Sequence, residues 1–346
     1  MNGEPNIEVR IYTIRELKDW IYMSIDVGLS ENLISNARAL ALVNNPYAKD
    51  SYPAIAVAFQ NQSPLGYTAV LADELNGEPI FYGTTGFIDA SMRGKGVGTL
   101  LYSSMMNACN HRWFASDSAP AALTISKKTG LGIYYYDRYY LSFEHSSSLL
   151  SVLRSCWVRR TNQHVLHNIH TQTRLEVLRY IDNQTYAFIE QHAEKNLFHR
   201  SREMLNWILQ YPFKASAPAD VAAYSQYEFT TALPQYTIYA FRIVLEERLI
   251  GFAMFRMNMG ELTLLYLFKD SNYTSNVYKA LIKHVLSQDI LRFRTFDKEL
   301  IDYYNQIGAL SMNSKSRILQ VSLSVPTDMD IDTSLILQGG DGDMFC

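Results

Sequence analysis

The sequence predicts an α/β (α+β) chain built from two tandem units. Three observations carry that prediction. A strand, a glycine-rich turn and a helix follow one another without a gap between Phe81 and Met106; strand-like runs bounded by turn residues precede them; and the same order of elements begins again after about residue 173.

The central stretch, FYGTTGFIDASMRGKGVGTLLYSSMM, starts extended, with Phe87 and Ile88 near the strand's end. It breaks at Arg93-Gly94-Lys95-Gly96-Val97-Gly98, and then Val97, Leu100, Leu101, Met105 and Ala108 fall on one face of a helix. A chain passing directly from strand to helix needs unusual dihedrals, which glycine adopts without a Cβ clash. Bare backbone also lets a ligand lie against the first helical turn, whose unpaired N–H groups sit at the positive end of the helix dipole. Arg93 and Lys95 add two cations, so the expected ligand is a phosphate or pyrophosphate. A P-loop would need G-x-x-x-x-G-K-[ST], which is absent; in a G-x-G-x-x-G fingerprint counted from Gly94 and Gly96 the third glycine is replaced by Thr99.

R-G-x-G-x-G after a strand with an aliphatic end resembles the acyl-coenzyme A loop of the GNAT (GCN5-related N-acetyltransferase) superfamily. The resemblance implies two tandem GNAT-like domains, each a mixed, mostly antiparallel sheet flanked by helices. It implies acetyl-CoA as cosubstrate, its pyrophosphate on the backbone of Arg93, Gly94, Lys95, Gly96, Val97, Gly98 and Thr99 and its pantetheine arm along Phe87 and Ile88. The implied activity is an acyltransferase one: an acetyl group passes to a primary amine, small-molecule or peptide, by direct attack. In many such enzymes a helix after the fifth strand carries Tyr-x-x-x-Gly-Phe, and its tyrosine protonates the departing thiolate. Tyr136 to Leu141 lines up on that pattern with Tyr140 and Leu141 in place of Gly and Phe. Tyr136 is therefore the implied general acid, and Tyr135 is its reserve because of the departure. The family's base often lies in the strand ahead of the loop; Asp89 is the candidate there, with Asp73 and Glu74 on the preceding strand as the others.

Taken in order, Ile7–Ile14 is expected as a strand, and Leu17–Met23 and Glu31–Val43 as helices, the second stopped by Asn44-Asn45-Pro46. Ala54–Phe59 and Leu65–Leu71 form strands about a turn at Asn61–Pro64. After the glycine loop and its helix, Ala121–Ser126 is expected as a strand and Ile133–Tyr140 as a short tyrosine-rich helix. Residues 151–172 form a helical linker. It holds His164, His167 and His170, but no carboxylate or cysteine completes a ligand set and no metal is expected. The pattern then restarts: Leu175–Tyr180, helices from Thr185 to about Leu209, strands at Tyr236–Glu246, Leu249–Met257 and Glu261–Phe268, a helix at Val277–Leu286, a strand at Leu291–Phe296 and a helix at Leu300–Gln306. Where the first unit has RGKGVG the second has Asp270 to Ser275, without glycine or cation, and Asp270 would oppose a pyrophosphate. The expected organisation is a catalytic domain over 1–150, the linker, and a degenerate, non-catalytic GNAT-like domain over 173–346.

Composition narrows the setting. The chain has 346 residues, enough for two cores, with 48% hydrophobic residues, 19% charged and a formal net charge of −3. No basic run marks a nucleic-acid partner. Met1–Arg10 lacks the apolar core of a signal peptide and no apolar run reaches the length of a membrane span, so a cytoplasmic protein without a membrane partner is expected. Cys109, Cys156 and Cys346, odd in number and far apart, suit reduced thiols. The glycine- and aspartate-rich tail, Gln338–Asp343, is expected as a surface turn. A second reading, supported by the missing obvious base, is a coenzyme A-binding regulatory or scaffold protein without turnover; a third keeps the enzyme and lengthens the acyl donor.

Overall fold

Strand β1 (Glu8–Thr13) runs straight into α1 (Ile14–Met23) at Thr13, which closes a capping box: Glu16 N donates to the Thr13 hydroxyl and the Glu16 carboxylate accepts from Thr13 N at 2.9 Å. Helix α2 (Asn36–Val43) precedes a meander of β2 (Pro53–Gln60), β3 (Ser63–Leu75) and β4 (Glu78–Ile88). Then come α3 (Val97–Ala108), β5 (Trp113–Ser116), α4 (Pro120–Lys128) and β6 (Gly132–Ser142). Helix α5 (Leu149–Asn168) leads to β7 (Arg174–Leu178), α6 (Asn183–Gln191), α7 (Arg202–Gln210) and the two-residue strands β8 (Ala215–Ser216) and β9 (Ala232–Leu233). The chain continues through β10 (Tyr236–Leu245), β11 (Arg248–Asn258), β12 (Glu261–Lys269), α8 (Thr274–Ser287), β13 (Arg292–Thr295), α9 (Lys298–Gln306) and β14 (Arg317–Val325). This computed structural model describes residues 7–29, 34, 36–118, 120–144, 147–212, 215–216, 232–233, 235–313, 317–329 and 331–342. Apart from β8 and β9, the second unit repeats the first element for element.

Two elements differ from the sequence expectation. Ala121–Ser126 belongs to helix α4: Pro120 opens it, where a missing N–H is no loss, and alanines favour the helix. The fifth strand is instead the buried run Trp113-Phe114-Ala115-Ser116. Ile133–Tyr140 is part of strand β6, because aromatic residues suit a pleated surface better than a helix. The sixth strand of the second unit, β14, was not expected at all.

Among the described residues twelve strands form one sheet, in the order β1-β2-β3-β4-β5-β14-β6-β13-β12-β11-β10-β7. The two units exchange their last strands. β14 pairs with β5 of the first unit, β6 pairs with β13 of the second, and the two pair antiparallel with each other at the centre, Tyr136 opposite Val321. One core runs across both units on one face, beneath α1, α2, α6 and α7, with Leu17, Leu42, Ile189, Leu205 and Trp207 in it. Trp207 Nε1 donates to Ala41 O at 2.9 Å, tying α7 to α2. On the other face α3 covers Phe81, Val70 and Trp113, and α8, α9 and α5 cover the second unit.

Each unit opens a fork in this sheet. β4 pairs in parallel with β5 only at Phe81–Trp113 and Tyr82–Phe114; β5 then turns to β14, while β4 runs on with β3 alone. Gly83 stands at the crotch, where a Cβ would collide with the Trp113 ring. The second fork lies between β12 and β13, which pair only from Glu261 to Thr263 on β12.

Candidate acyl-coenzyme A site

The end of β4 leads into the loop the sequence singled out. Phe87 and Ile88 end the strand; Asp89 then starts a single 3₁₀ turn over Ala90–Met92, and Arg93 to Gly96 turn the chain into α3. Gly94 and Gly96 have φ of +78° and +86°, a left-handed conformation that disfavours any residue with a Cβ. A Cβ built on either meets nothing within 4 Å, so the space beside the backbone is open. Gly96 is the N-cap of α3 and supplies no side-chain cap, which leaves the amides of the first turn, Val97, Gly98 and Thr99, facing that space at the positive end of the helix. Lys95 is exposed beside them, and exposed Arg93 donates through Nε to Ile88 O at 3.2 Å, fixing its base at the strand end. Behind the loop Val97, Leu101, Met105 and Met106 are buried; Leu100, expected on the inner face, is 40% exposed, and Met106 takes its place. Left-handed glycines, an uncapped helix start, two cations and a strand that beyond Tyr82 pairs only with β3 among the described residues make a cradle that fits a pyrophosphate with an extended arm.

Asp89 does not fit the part of a base. Its carboxylate accepts from Ser91 N at 2.8 Å and from the Ser91 hydroxyl, and these bonds hold it below the ordinary carboxylate range. It is a turn cap at the surface. Asp73 is buried in an ion pair with Arg200 of the second unit, and Glu74 is exposed.

Tyr136 sits on β6, not on a helix. Its hydroxyl is buried with no hydrogen-bond partner among the described residues, and burial, then the Asp332 carboxylate, pushes the phenol up. It therefore stays protonated at neutral pH, as a weaker acid than an ordinary phenol. Cross-strand pairing puts Ser116, Leu323 and Tyr134 in one row, with Val321 and Tyr136 two residues along on the same face. Tyr135 points to the other face and is 53% exposed. The helix after the fifth strand is α4, and there the spacing Tyr-x-x-x-Gly is matched by Ser126 to Gly130, the glycine at φ +80°. Ser126 is buried and donates to Ala122 O at 3.2 Å.

The tail is no surface turn. Leu337, Gln338 and Asp341 are buried, and Asp343 and Cys346 lie outside the described residues. Gly339 and Gly340 pass so close to Leu264 O and the Tyr266 ring that side chains could not be accommodated there. Gln338 accepts from Leu267 N at 2.8 Å and Gly340 N donates to Leu265 O at 2.8 Å, so the tail occupies the edge of β12 in the second fork. A cavity of about 670 Å³ remains beside it, lined by Leu264, Lys269, Thr295 and Asp297 among others. The tail then reaches the first crotch, where the Tyr82 hydroxyl donates to Gly342 O. Between the forks, buried Arg200 binds Asp73 and Asp341, the latter at 3.1 Å through Nη2, and donates to the Tyr266 hydroxyl at 3.2 Å. One cation between two buried carboxylates leaves Asp341 pushed up to about 6 by desolvation. Sequence reasoning missed Arg200, Tyr82 and Ser116; the Gly339-Gly340 pair was the one local sign of a tight passage.

Burial pushes the Cys109 thiol up, which argues against a nucleophile there, and Cys156 is exposed and free. No group of three or more potential metal ligands occurs among the described residues, and His164 instead bonds Asn168 at 2.9 Å.

No protein-family model and no curated protein sequence matches the chain; its likeness is in the fold. The N-myristoyltransferase of Saccharomyces cerevisiae with bound myristoyl-CoA superposes with a TM-score of 0.51 at 8% identity, covering 99% of this chain and 86% of that one. A GCN5-related N-acetyltransferase from Kribbella flavida gives 0.50 at 10% identity, covering 92% of this chain and 72% of that one. A tandem GNAT protein from the clavulanic acid biosynthesis pathway gives 0.49 at 11% identity, covering 93% and 100%. The chain has the fold of the GCN5-related N-acetyltransferases, and its own order of elements runs through that pattern twice.

Proposed function

We propose that this tandem GNAT fold is an acyltransferase that moves an acyl group, acetyl in the first instance, from coenzyme A to a primary amine, using the first unit alone. The observation that carries the reading is the open cradle at Gly94 and Gly96, at the end of β4. When bound there, the thioester supplies an activated acyl group. The amides of Val97, Gly98 and Thr99, with Lys95 and Arg93, hold the pyrophosphate by charge-assisted hydrogen bonds. Phe87 and Ile88 offer the strand edge to the pantetheine arm, and an N–H of that edge is available to an oxyanion. Tyr136, protonated at neutral pH, donates its proton to the leaving sulfur, and the attacking amine releases a proton to solvent. The second unit has no equivalent cradle: Asp270 caps the corresponding turn through Asn272 N at 2.9 Å and pairs with Arg248 at 3.0 Å, and its fork holds the chain's own tail.

Release of free thiol from acetyl-CoA against a panel of small and peptidyl amines tests this. Turnover with at least one amine is the expected result; binding of coenzyme A without turnover of any acyl donor would favour a regulatory protein. That second reading has one observation behind it: Asp89 is a cap, and Asp73 and Asp341 are held by Arg200. The same assay with longer acyl donors settles chain length, a question raised by the myristoyl-CoA in the yeast neighbour.

A further inference from the structure

Helix α5 joins the two units and belongs to neither fork. Its inner face is fixed: Val158, Asn162 and Val165 are buried, and Asn162 grips the backbone of Leu310 twice, accepting from its N–H at 2.8 Å and donating to its carbonyl at 2.8 Å. At about 100° per residue, Leu149, Leu153, Trp157, Arg160, His164 and His167 fall within an arc of about 80° on the opposite side. All six are exposed. The first half of that stripe is strongly apolar: Leu149 is 75% exposed, Leu153 58% and Trp157 60%, with Leu150 at 80% beside them. Four large apolar side chains on one rigid ridge are not the scatter of single residues found on any surface.

The charge along this stretch of the chain has one sign. Between Glu144 and Glu176 the sequence contains no acidic residue, although the chain as a whole has 34 acidic and 31 basic ones. Arg154, Arg159 and Arg160 stand on α5, exposed, and none has a carboxylate partner among the described residues. Helix α8, packed against α5, adds Lys279 and Lys283, which with His167 and His170 rim an open cavity of about 920 Å³ over Leu166, Ile169 and Ala280. The nearest acid before the helix, Glu144, is neutralised by Arg292 at 2.7 Å.

We propose that the outward face of α5 docks this protein on an anionic phospholipid surface, with Leu149, Leu150, Leu153 and Trp157 entering the acyl boundary and the arginines at the headgroups. Leucine and tryptophan flanked by unpaired arginines is the composition of an interfacial helix. No helix among the described residues is long and apolar enough to cross a membrane, and peripheral docking needs none. A second copy is the poorer occupant: a two-fold contact would set this acid-free stripe against itself and bring arginine to arginine. An acidic protein groove would share the charge but would not need the phospholipid.

Vesicle co-flotation of the full chain decides it. Wild type should float with phosphatidylcholine vesicles containing about a third phosphatidylserine, bind pure phosphatidylcholine at least tenfold less, and detach as salt is raised. Leu153→Glu with Trp157→Glu should abolish flotation; both sites are on the surface, so an unchanged thermal midpoint shows that the fold survives. Replacing Arg154, Arg159 and Arg160 with Gln should lower partitioning by about 10²-fold, near fivefold for each charge. Failure of wild type to float with anionic vesicles overturns the proposal, whether or not light scattering finds a dimer that Trp157→Glu dissolves. Flotation that survives the double substitution also overturns it. None of these residues touches the coenzyme A cradle, so acyl transfer in solution reports separately on the proposed activity.

Discussion

Replacing Arg200 with Met should destabilise the fold strongly and in a pH-dependent way. Arg200 and its partners are nearly inaccessible, with side-chain exposures of 1% for Arg200, 3% for Asp73 and 0% for Asp341. Methionine fills much of the volume but leaves two buried carboxylates facing each other without a cation. Removing one partner of such a cluster costs about 3–5 kcal/mol, because the remaining charges are desolvated and unpaired. Asp341 fixes the sign. Its folded value lies above the ordinary 3.8, at about 6, so its favourable contribution is complete below 3.8 and is lost as pH rises through 6. That interval corresponds to about 3 kcal/mol in the wild type, discounted by whatever the cluster relaxes. Without Arg200 the carboxylates hold their protons to higher pH still, so the deficit of the variant should be small at pH 5 and reach its full size near pH 7.5. Urea denaturation at the two values, followed by tryptophan fluorescence, measures it; a single transition is expected because both units share one sheet. A deficit below about 1 kcal/mol at pH 7.5, or one equal at both pH values, would refute the buried-cluster argument.

Tyr136→Phe should lower turnover by about 10²–10⁴-fold while coenzyme A affinity stays level, and because the hydroxyl has no hydrogen-bond partner among the described residues, denaturation should show no loss of stability. Gly83→Ala should cost about 1–3 kcal/mol by the same denaturation assay, since its Cβ would meet the Trp113 ring at the crotch of the first fork. Trp207→Phe should cost about 1–2 kcal/mol through the lost bond to Ala41 O and the smaller ring, whereas a neutral result would mean that α7 and α2 are not tied there. Either unit expressed alone should fail to fold, read by circular dichroism, because its last strand has its partners in the other unit.

The loop and its helix were legible because the information is local: glycines at Gly94 and Gly96 adopt the positive φ that the strand-to-helix turn demands, and the apolar spacing of α3 follows within twelve residues. The repeat was legible for the same reason in its opening elements, but not in its last strand, β14. Tyr136 was placed on a helix because a short apolar and aromatic run has no decisive period, and Ala121–Ser126 was misplaced the same way. The strand exchange left no local trace, since β6 finds β13 and β14 only through tertiary pairing across more than a hundred residues. Asp73 was named as a base candidate, but its actual partner lies 127 residues away, and no sequence spacing announces such a pair. The fold of the tail follows from burial of Gly339 and Gly340, whose neighbours look like a turn in sequence alone.

Calorimetric titration of coenzyme A into the full chain tests the central claim most directly. One binding site per chain is predicted, lost in Gly96→Val, where a β-branched side chain at φ +86° would both strain the turn and fill the path of the pyrophosphate, while circular dichroism shows the fold retained. Unchanged affinity in that variant, or a stoichiometry near two, would contradict a single phosphate cradle at Arg93–Thr99.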